Sequence, residues 1–84
     1  MPVVLRVAGY TLFFFSNEGD PREPVHIHVR RAGGLAKFWI SPVALAQSRG
    51  FDARALSDAE RLVARHEALI LEAWHEHFGD DGPV

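Results

Sequence analysis

The segment from residue 24 to residue 31 carries the side chains of this sequence best suited to chemistry. It reads PVHIHVRR, and polar residues alternate with apolar ones. Side chains two positions apart on a β-strand point to the same side of a sheet. His26, His28 and Arg30 should therefore share one face. Two imidazoles and a guanidinium on one face suit metal binding, acid–base catalysis on a phosphate ester, or recognition of a partner.

A metal site at His26 and His28 would need at least a third ligand. The other histidines lie in a segment predicted to be helical; they are His66, His75 and His77. The loop before His26 offers carboxylates at Asp20 and Glu23, but Arg30 would oppose a bound cation. We therefore expect no metal or other cofactor, and a site at the histidine pair is the minor alternative.

Catalysis by the same residues would resemble that of a metal-independent ribonuclease. One histidine would accept the proton of a 2′-hydroxyl, and the other would protonate the leaving oxygen. Arg30 would stabilise the charge that develops on phosphorus. His26, His28 and Arg30 are thus the candidate catalytic residues, although alternate histidines on a strand are weak evidence, and the sequence leaves open whether the chain is an enzyme.

Length and composition fit one small globular domain. The chain has 84 residues, of which 48% are hydrophobic and 24% charged, and it has no cysteine. We expect a single domain over residues 1–79 and a frayed tail over 80–84. The absence of cysteine excludes disulfides and thiolate metal sites. The apolar start is interrupted by Arg6 and is too short to span a bilayer, so we expect a cytoplasmic protein without a membrane segment.

Charge is distributed unevenly along the chain. Residues 1–41 carry a net charge of +2, residues 42–84 carry −4, and residues 25–40 contain three basic residues and no acid. This asymmetry permits an anionic partner on the first half of the chain. It is far weaker than the charge of a strongly basic nucleic-acid-binding domain.

The first half of the sequence predicts four strands. They are residues 3–8, 11–16, 26–31 and 35–40, which are rich in β-branched and aromatic residues and are separated by turn-forming segments. Residues 17–24 should form an exposed loop. Residues 43–49 are ambiguous, because either a short helix after Pro42 or a fifth strand fits the pattern.

The second half predicts one long helix. Ser57 and Glu60 have the spacing of a capping box, and apolar residues recur at helical intervals from Leu62 to Phe78. The helix should span residues 58–78 and end at Gly79. The resulting class is α+β: an antiparallel sheet of about four strands with one long amphipathic helix packed on one face.

Strand alternation predicts which side chains lie on the face away from this helix. Besides His26, His28 and Arg30, the face should carry Arg6, Lys37, Trp39 and at least one phenylalanine of the run at 13–15. Tryptophan, phenylalanine and arginine are enriched at protein interfaces. We therefore expect Arg6, Lys37 and Trp39 to form a binding face.

Four stretches together resemble a known family. They are MPVVLRVAGYTLFFFSNEG, PVHIHVR, LAKFWISPVALAQSRGF and LILEAWHEHFG. The combination resembles the small bacterial domain-of-unknown-function family 4160 over residues 2–79. The resemblance implies a prokaryotic protein, often encoded beside another small protein in a toxin–antitoxin-like arrangement. It implies no established activity.

The leading hypothesis is one member of such a pair, acting by binding a small partner protein encoded nearby. The alternative is a metal-independent ribonuclease, or an RNA- or DNA-binding effector, that uses His26, His28 and Arg30. The sequence identifies neither the partner, nor a substrate, nor the oligomeric state.

Overall fold

Five antiparallel strands and two helices make up the fold in the computed structural model, which describes residues 2–15 and 23–79. The strands are β1 (Val3–Val7), β2 (Tyr10–Phe13), β3 (His26–Arg31), β4 (Gly34–Trp39) and β5 (Ala44–Arg49). They form one sheet in the order β1-β2-β3-β4-β5, so every strand pairs with its neighbour in sequence. The predicted α+β class and antiparallel sheet are confirmed. Residues 17–22 of the loop predicted over 17–24, and the tail over 80–84, lie outside the described residues.

The sheet has five strands where about four were predicted. β5 pairs with β4 from Leu35↔Arg49 to Trp39↔Ala44, with one irregularity between Lys37 and Phe38. This resolves the ambiguity of residues 43–49 in favour of a strand. The helical alternative was plausible because β5 is mostly exposed on both sides, so its sequence lacks the alternation that identifies a half-buried strand.

Two helices replace the single long helix that was predicted. They are α1 (Ala53–Arg65) and α2 (Glu67–Phe78). His66 separates them with a non-helical backbone, and its Nδ1 lies 2.9 Å from the carbonyl oxygen of Leu62. The Ile70 amide still donates to the carbonyl of His66, so the break is confined to one residue. Apolar periodicity continues across such a break, and the pattern therefore suggested one helix.

The first helix begins earlier than the capping-box signal indicated. Asp52 is the N-cap, and its Oδ1 accepts a hydrogen bond of 2.8 Å from the amide of Ala55. Ser57 therefore lies inside the helix and does not cap it. Aspartate is as good an N-cap as serine, and the Ala-Arg-Ala-Leu segment that follows Asp52 favours helix throughout.

The core lies between one face of the sheet and the two helices. Alternate residues of β3, with Val25 just before them, are buried as predicted: Val25, Ile27 and Val29. Ala59 and Val63 of α1, and Ile70 and Trp74 of α2, complete this core. We call the opposite side of the sheet the outer face.

Contacts of Tyr10 hold the start of α1 against the sheet. The hydroxyl of Tyr10 donates to the carbonyl of Ala55 at 3.3 Å, and the guanidinium of Arg31 donates to the same hydroxyl at 3.3 Å. Phe51 packs edge-on against the Tyr10 ring. These contacts hold the end of the sheet that carries the β1–β2 and β3–β4 turns against the helical layer.

Candidate functional site

Strand pairing arranges the outer face in cross-strand rows. Paired residues project to the same side, and the pairing joins Arg6↔Thr11↔Arg30↔Leu35↔Arg49 in one row. The adjacent row joins Phe13↔His28↔Lys37↔Gln47, and a third joins His26↔Trp39. All six residues predicted for this face therefore share it, and the sheet places them in different rows.

His26 is a buried member of an aromatic cluster. Its side chain is 0% exposed, and its ring lies 5.1 Å from Trp74, 5.7 Å from Trp39 and 5.2 Å from His28, measured between ring centroids. Its Nδ1 lies 2.9 Å from the carbonyl oxygen of Pro24. The expectation that His26 belongs to an exposed cationic surface is wrong, because Trp74 of α2 reaches past the end of the sheet and contacts it.

His28 is also enclosed, although less completely. It is 7% exposed, with the Phe13 ring stacked at 5.5 Å and the Phe15 ring edge-on at 4.5 Å. Phe15 is the phenylalanine of the run that is exposed, at 39%. Both histidines project to the outer face, but His28 lies beside the exposed Phe15, whereas His26 is completely covered by other side chains.

Lys37 and Trp39 form a local pair with an acidic partner. The ammonium of Lys37 lies 2.9 Å from Glu23 Oε1 and 4.5 Å from the centroid of the Trp39 ring. The same Glu23 oxygen is 3.8 Å from Nδ1 of His26. Glu23 therefore offsets the charge of Lys37. Both Lys37 and Trp39 remain half-buried at the surface.

Among the described residues, the exposed cations of the outer face are Arg6, Arg30 and Arg49, which we call the arginine row. They stand on β1, β3 and β5, two strands apart, so adjacent members are separated by about 10 Å of sheet. Arg30 lies over the Phe13 ring at 5.1 Å. The side chains of Arg6 and Arg49 have no hydrogen bond or ion pair with any described residue.

A concavity of about 320 Å³ opens beside this row. It lies over β3, β4 and β5, and its lining includes Phe15, His28, Lys37, Gln47 and Arg49. No carboxylate lines it among the described residues. An open, partly aromatic hollow with cationic and amide donors on its rim suits an anionic group that carries or adjoins an apolar one.

Metal ligands do not converge in the described part of the chain, where no group of three or more His, Asp or Glu side chains could hold an ion. His26 and His28 are within one cluster, but Glu23 is engaged by Lys37. Asp20, the other candidate carboxylate, lies outside the described residues. The described helices also include none long and apolar enough to cross a membrane.

Comparison with known families gives one match. The model of a family described as a domain of unknown function, DUF4160, matches residues 9–75, which is most of the chain. The chain belongs to the DUF4160 family. No curated protein and no solved structure matches it. The DUF4160 match includes His26, His28 and Trp74 and two members of the arginine row, and it leaves Arg6 outside.

This DUF4160 protein separates charge between its two layers. Within the described residues, the sheet layer up to Phe51 has five basic residues and one acid, a net charge of +4. The helical layer from Asp52 onward has three basic residues and six acids, a net charge of −3. The uneven charge visible along the sequence is therefore an uneven charge between two opposite surfaces of the molecule.

Two residues of the site were missed from the sequence, Gln47 and Arg49. Both belong to β5, which the sequence left undecided between helix and strand. Without the strand, neither residue has a position on the outer face. The sequence signal that could have identified them is Arg49 itself. It is an isolated basic residue directly before Gly50, and it follows six residues without charge, 43–48.

Proposed function

We propose that this protein is a binding module whose outer face recognises a small acidic partner protein, as one member of a toxin–antitoxin-like pair. The observation that carries the proposal is the arginine row on the helix-free side of a sheet layer whose described residues have a net charge of +4. Exposed arginine beside half-buried tryptophan and exposed phenylalanine is the composition favoured at interface hot spots. Complementary charge would also accelerate the encounter with an acidic partner.

The resemblance to proteins that are encoded beside a second small protein supports this proposal from a different direction. An 84-residue chain has a small core of its own, and burial of a partly apolar face against a partner would add to its stability. The burial of His26 weighs against the catalytic reading and leaves recognition as the role that most of the exposed outer-face residues can perform.

Arg30→Glu should abolish stable association with the product of the neighbouring gene. The substitution places a carboxylate at the centre of the arginine row, and like charge facing an acidic surface should raise Kd by at least about tenfold. Co-expression followed by size-exclusion chromatography and titration calorimetry measures this. Trp39→Ala should weaken binding as well, because it removes an aromatic contact of the same face.

Arg54→Glu is the matched control for Arg30→Glu. Arg54 is exposed near the start of α1, on the opposite layer, and the substitution changes the net charge by the same amount. It should leave the complex intact. Separate elution of the two wild-type proteins, or equal loss of binding in Arg30→Glu and Arg54→Glu, would contradict the proposal.

RNA binding is the second candidate, and the exposure of Phe15 beside the concavity favours it. Aromatic side chains stack on bases while arginines contact the backbone, as in proteins that bind single strands. Under this alternative, Phe15→Ala should weaken binding of a labelled single-stranded RNA by about tenfold. Fluorescence anisotropy tests this, and wild-type protein that binds no RNA at moderate salt removes the alternative.

Hydrolysis of RNA by His26 and His28 is less well supported than RNA binding. The proposed mechanism needs both imidazoles at the reacting phosphate, but His26 is enclosed by Trp39, Trp74 and His28. Of the three candidate catalytic residues, Arg30 has an exposed side chain, whereas His28 is only 7% exposed.

A further inference from the structure

β5 is an edge strand of the sheet, and most of its residues are exposed. Within the described residues it pairs only with β4, so the other side of its backbone has no strand beside it. Five of its six residues are exposed, and only Ala46 is half-buried. An edge strand of this kind presents a row of amide and carbonyl groups that another extended segment can pair with.

The two sides of β5 differ in chemistry. Leu45 pairs with the core residue Phe38, so it points to the helical side, yet it is 44% exposed because the helices do not cover this edge. Gln47 and Arg49 point to the outer face and line the concavity. A strand added beside β5 would therefore contact Leu45 on its helical side and Arg49 on its outer side. The Arg49 side chain has no ion-pair partner among the described residues.

We propose that β5 accepts an added strand from the partner, in which apolar residues facing Leu45 alternate with acidic residues facing Arg49. This rests on the proposed function and names how the acidic partner docks. Main-chain hydrogen bonds would supply affinity, and the alternating side chains would supply specificity. The acidic side chains would lie over the rim of the concavity, where the described residues provide no carboxylate.

The opposite edge of the sheet is a poorer acceptor. Val4 and Leu5 of β1 pack against the core, and the pairing of β1 with β2 is irregular between Val3 and Leu5. β5 also contains one irregularity, but its half from Gln47 to Arg49 keeps continuous register with β4. That regular half is the one beside the concavity. The exposed edge, the uncovered leucine and the arginine therefore coincide at β5 alone among the described strands.

The test uses three short dye-labelled peptides and the full-length protein in fluorescence anisotropy at moderate salt. The first peptide alternates valine and glutamate, and the second replaces each glutamate with lysine. The third is the valine–glutamate peptide with an N-methyl group on every internal amide, which removes the hydrogen-bond donors of both strand edges without changing charge. The valine–glutamate peptide should bind saturably, and each of the other two should bind at least about tenfold more weakly.

Two charge reversals separate strand addition from general attraction. Arg49→Glu should weaken binding of the valine–glutamate peptide by about tenfold and strengthen binding of the lysine peptide. Arg54→Glu makes the same charge change on the helical layer, outside the outer face, and should leave both affinities unchanged. Thermal melts of each variant confirm that the fold is intact.

Three outcomes would overturn the inference: no saturable binding up to about 1 mM peptide, equal binding of the N-methylated peptide, or equal effects of Arg49→Glu and Arg54→Glu. The first outcome includes a protein whose β5 pairs only with a second copy, which sedimentation would reveal as a dimer. The two proposals can also be told apart. If Arg30→Glu abolishes binding of the neighbouring gene product but the peptides do not bind, the proposed function is supported and strand addition at β5 is wrong.

Discussion

Trp74→Ala should lower the free energy of unfolding by about 3–5 kcal/mol, the range found when a buried aromatic side chain is truncated. Trp74 is 0% exposed, and its ring lies 5.3 Å from Phe14, 4.3 Å from Phe78 and 5.1 Å from His26, measured between centroids. It therefore joins the core, the end of α2 and the outer face. A chain of this length is expected to have a total stability of only about 4–13 kcal/mol.

Chemical denaturation followed by far-UV circular dichroism measures the effect of Trp74→Ala. Leu69→Ala is the control in the same helix, because Leu69 is 42% exposed and its truncation should change stability by less than about 0.5 kcal/mol. Trp74→Phe should be milder than Trp74→Ala, since the indole nitrogen is buried without a hydrogen-bond partner among the described residues. Equal stabilities of Trp74→Ala and Leu69→Ala would contradict the assignment of Trp74 as an anchor.

The anchoring role of Trp74 changes how substitutions at His26 should be interpreted. A His26→Ala variant removes a fully buried ring that contacts two tryptophans, so a loss of binding or activity in that variant can arise from unfolding alone. Substitutions at Arg30 or Arg49 test the outer face directly, because both side chains are exposed.

The strand pairing of the fold was largely predictable from the sequence. Alternation of apolar and polar residues identified β3 and β4, and it assigned Val25, Ile27 and Val29 correctly to the covered face. β5 could not be assigned in this way, because an edge strand exposed on both sides has no alternating burial to impose a pattern. The break at His66 was equally hidden, since it involves one residue and leaves the apolar spacing intact.

The candidate site was predictable in composition and not in accessibility. Strand parity placed His26 and His28 on the outer face, and the pairing confirms that placement. Parity says nothing about what a neighbouring helix contacts beyond the edge of the sheet. Trp74 lies nearly fifty residues from His26 in the sequence. Its contact with His26 helps to bury that histidine, which strand parity alone would leave on an open face.

Gly34→Ala should lower the free energy of unfolding by about 2–3 kcal/mol, as expected when a side chain is forced into a filled space. A Cβ atom at position 34 would overlap the ring of Phe51 and would lie 3.0 Å from the carbonyl oxygen of Gly50. Alanine is otherwise the better residue in a strand, by about 0.5–1 kcal/mol. The predicted sign therefore depends on the Phe51 contact outweighing that preference.

The neighbouring residue Gly33 provides the control, because a Cβ atom there would meet nothing within 4 Å. Gly33→Ala should change stability by less than about 0.5 kcal/mol. A double-mutant cycle then identifies the cause: in a Phe51→Ala background, Gly34→Ala should be at least about 1 kcal/mol less destabilising than in the wild type. Phe51 packs against Tyr10, and the Tyr10 hydroxyl donates to the carbonyl of Ala55 in α1. An additive cycle would contradict the prediction. It would show that the Phe51 ring can move aside and that it does not fix the position of β4 against the helical layer.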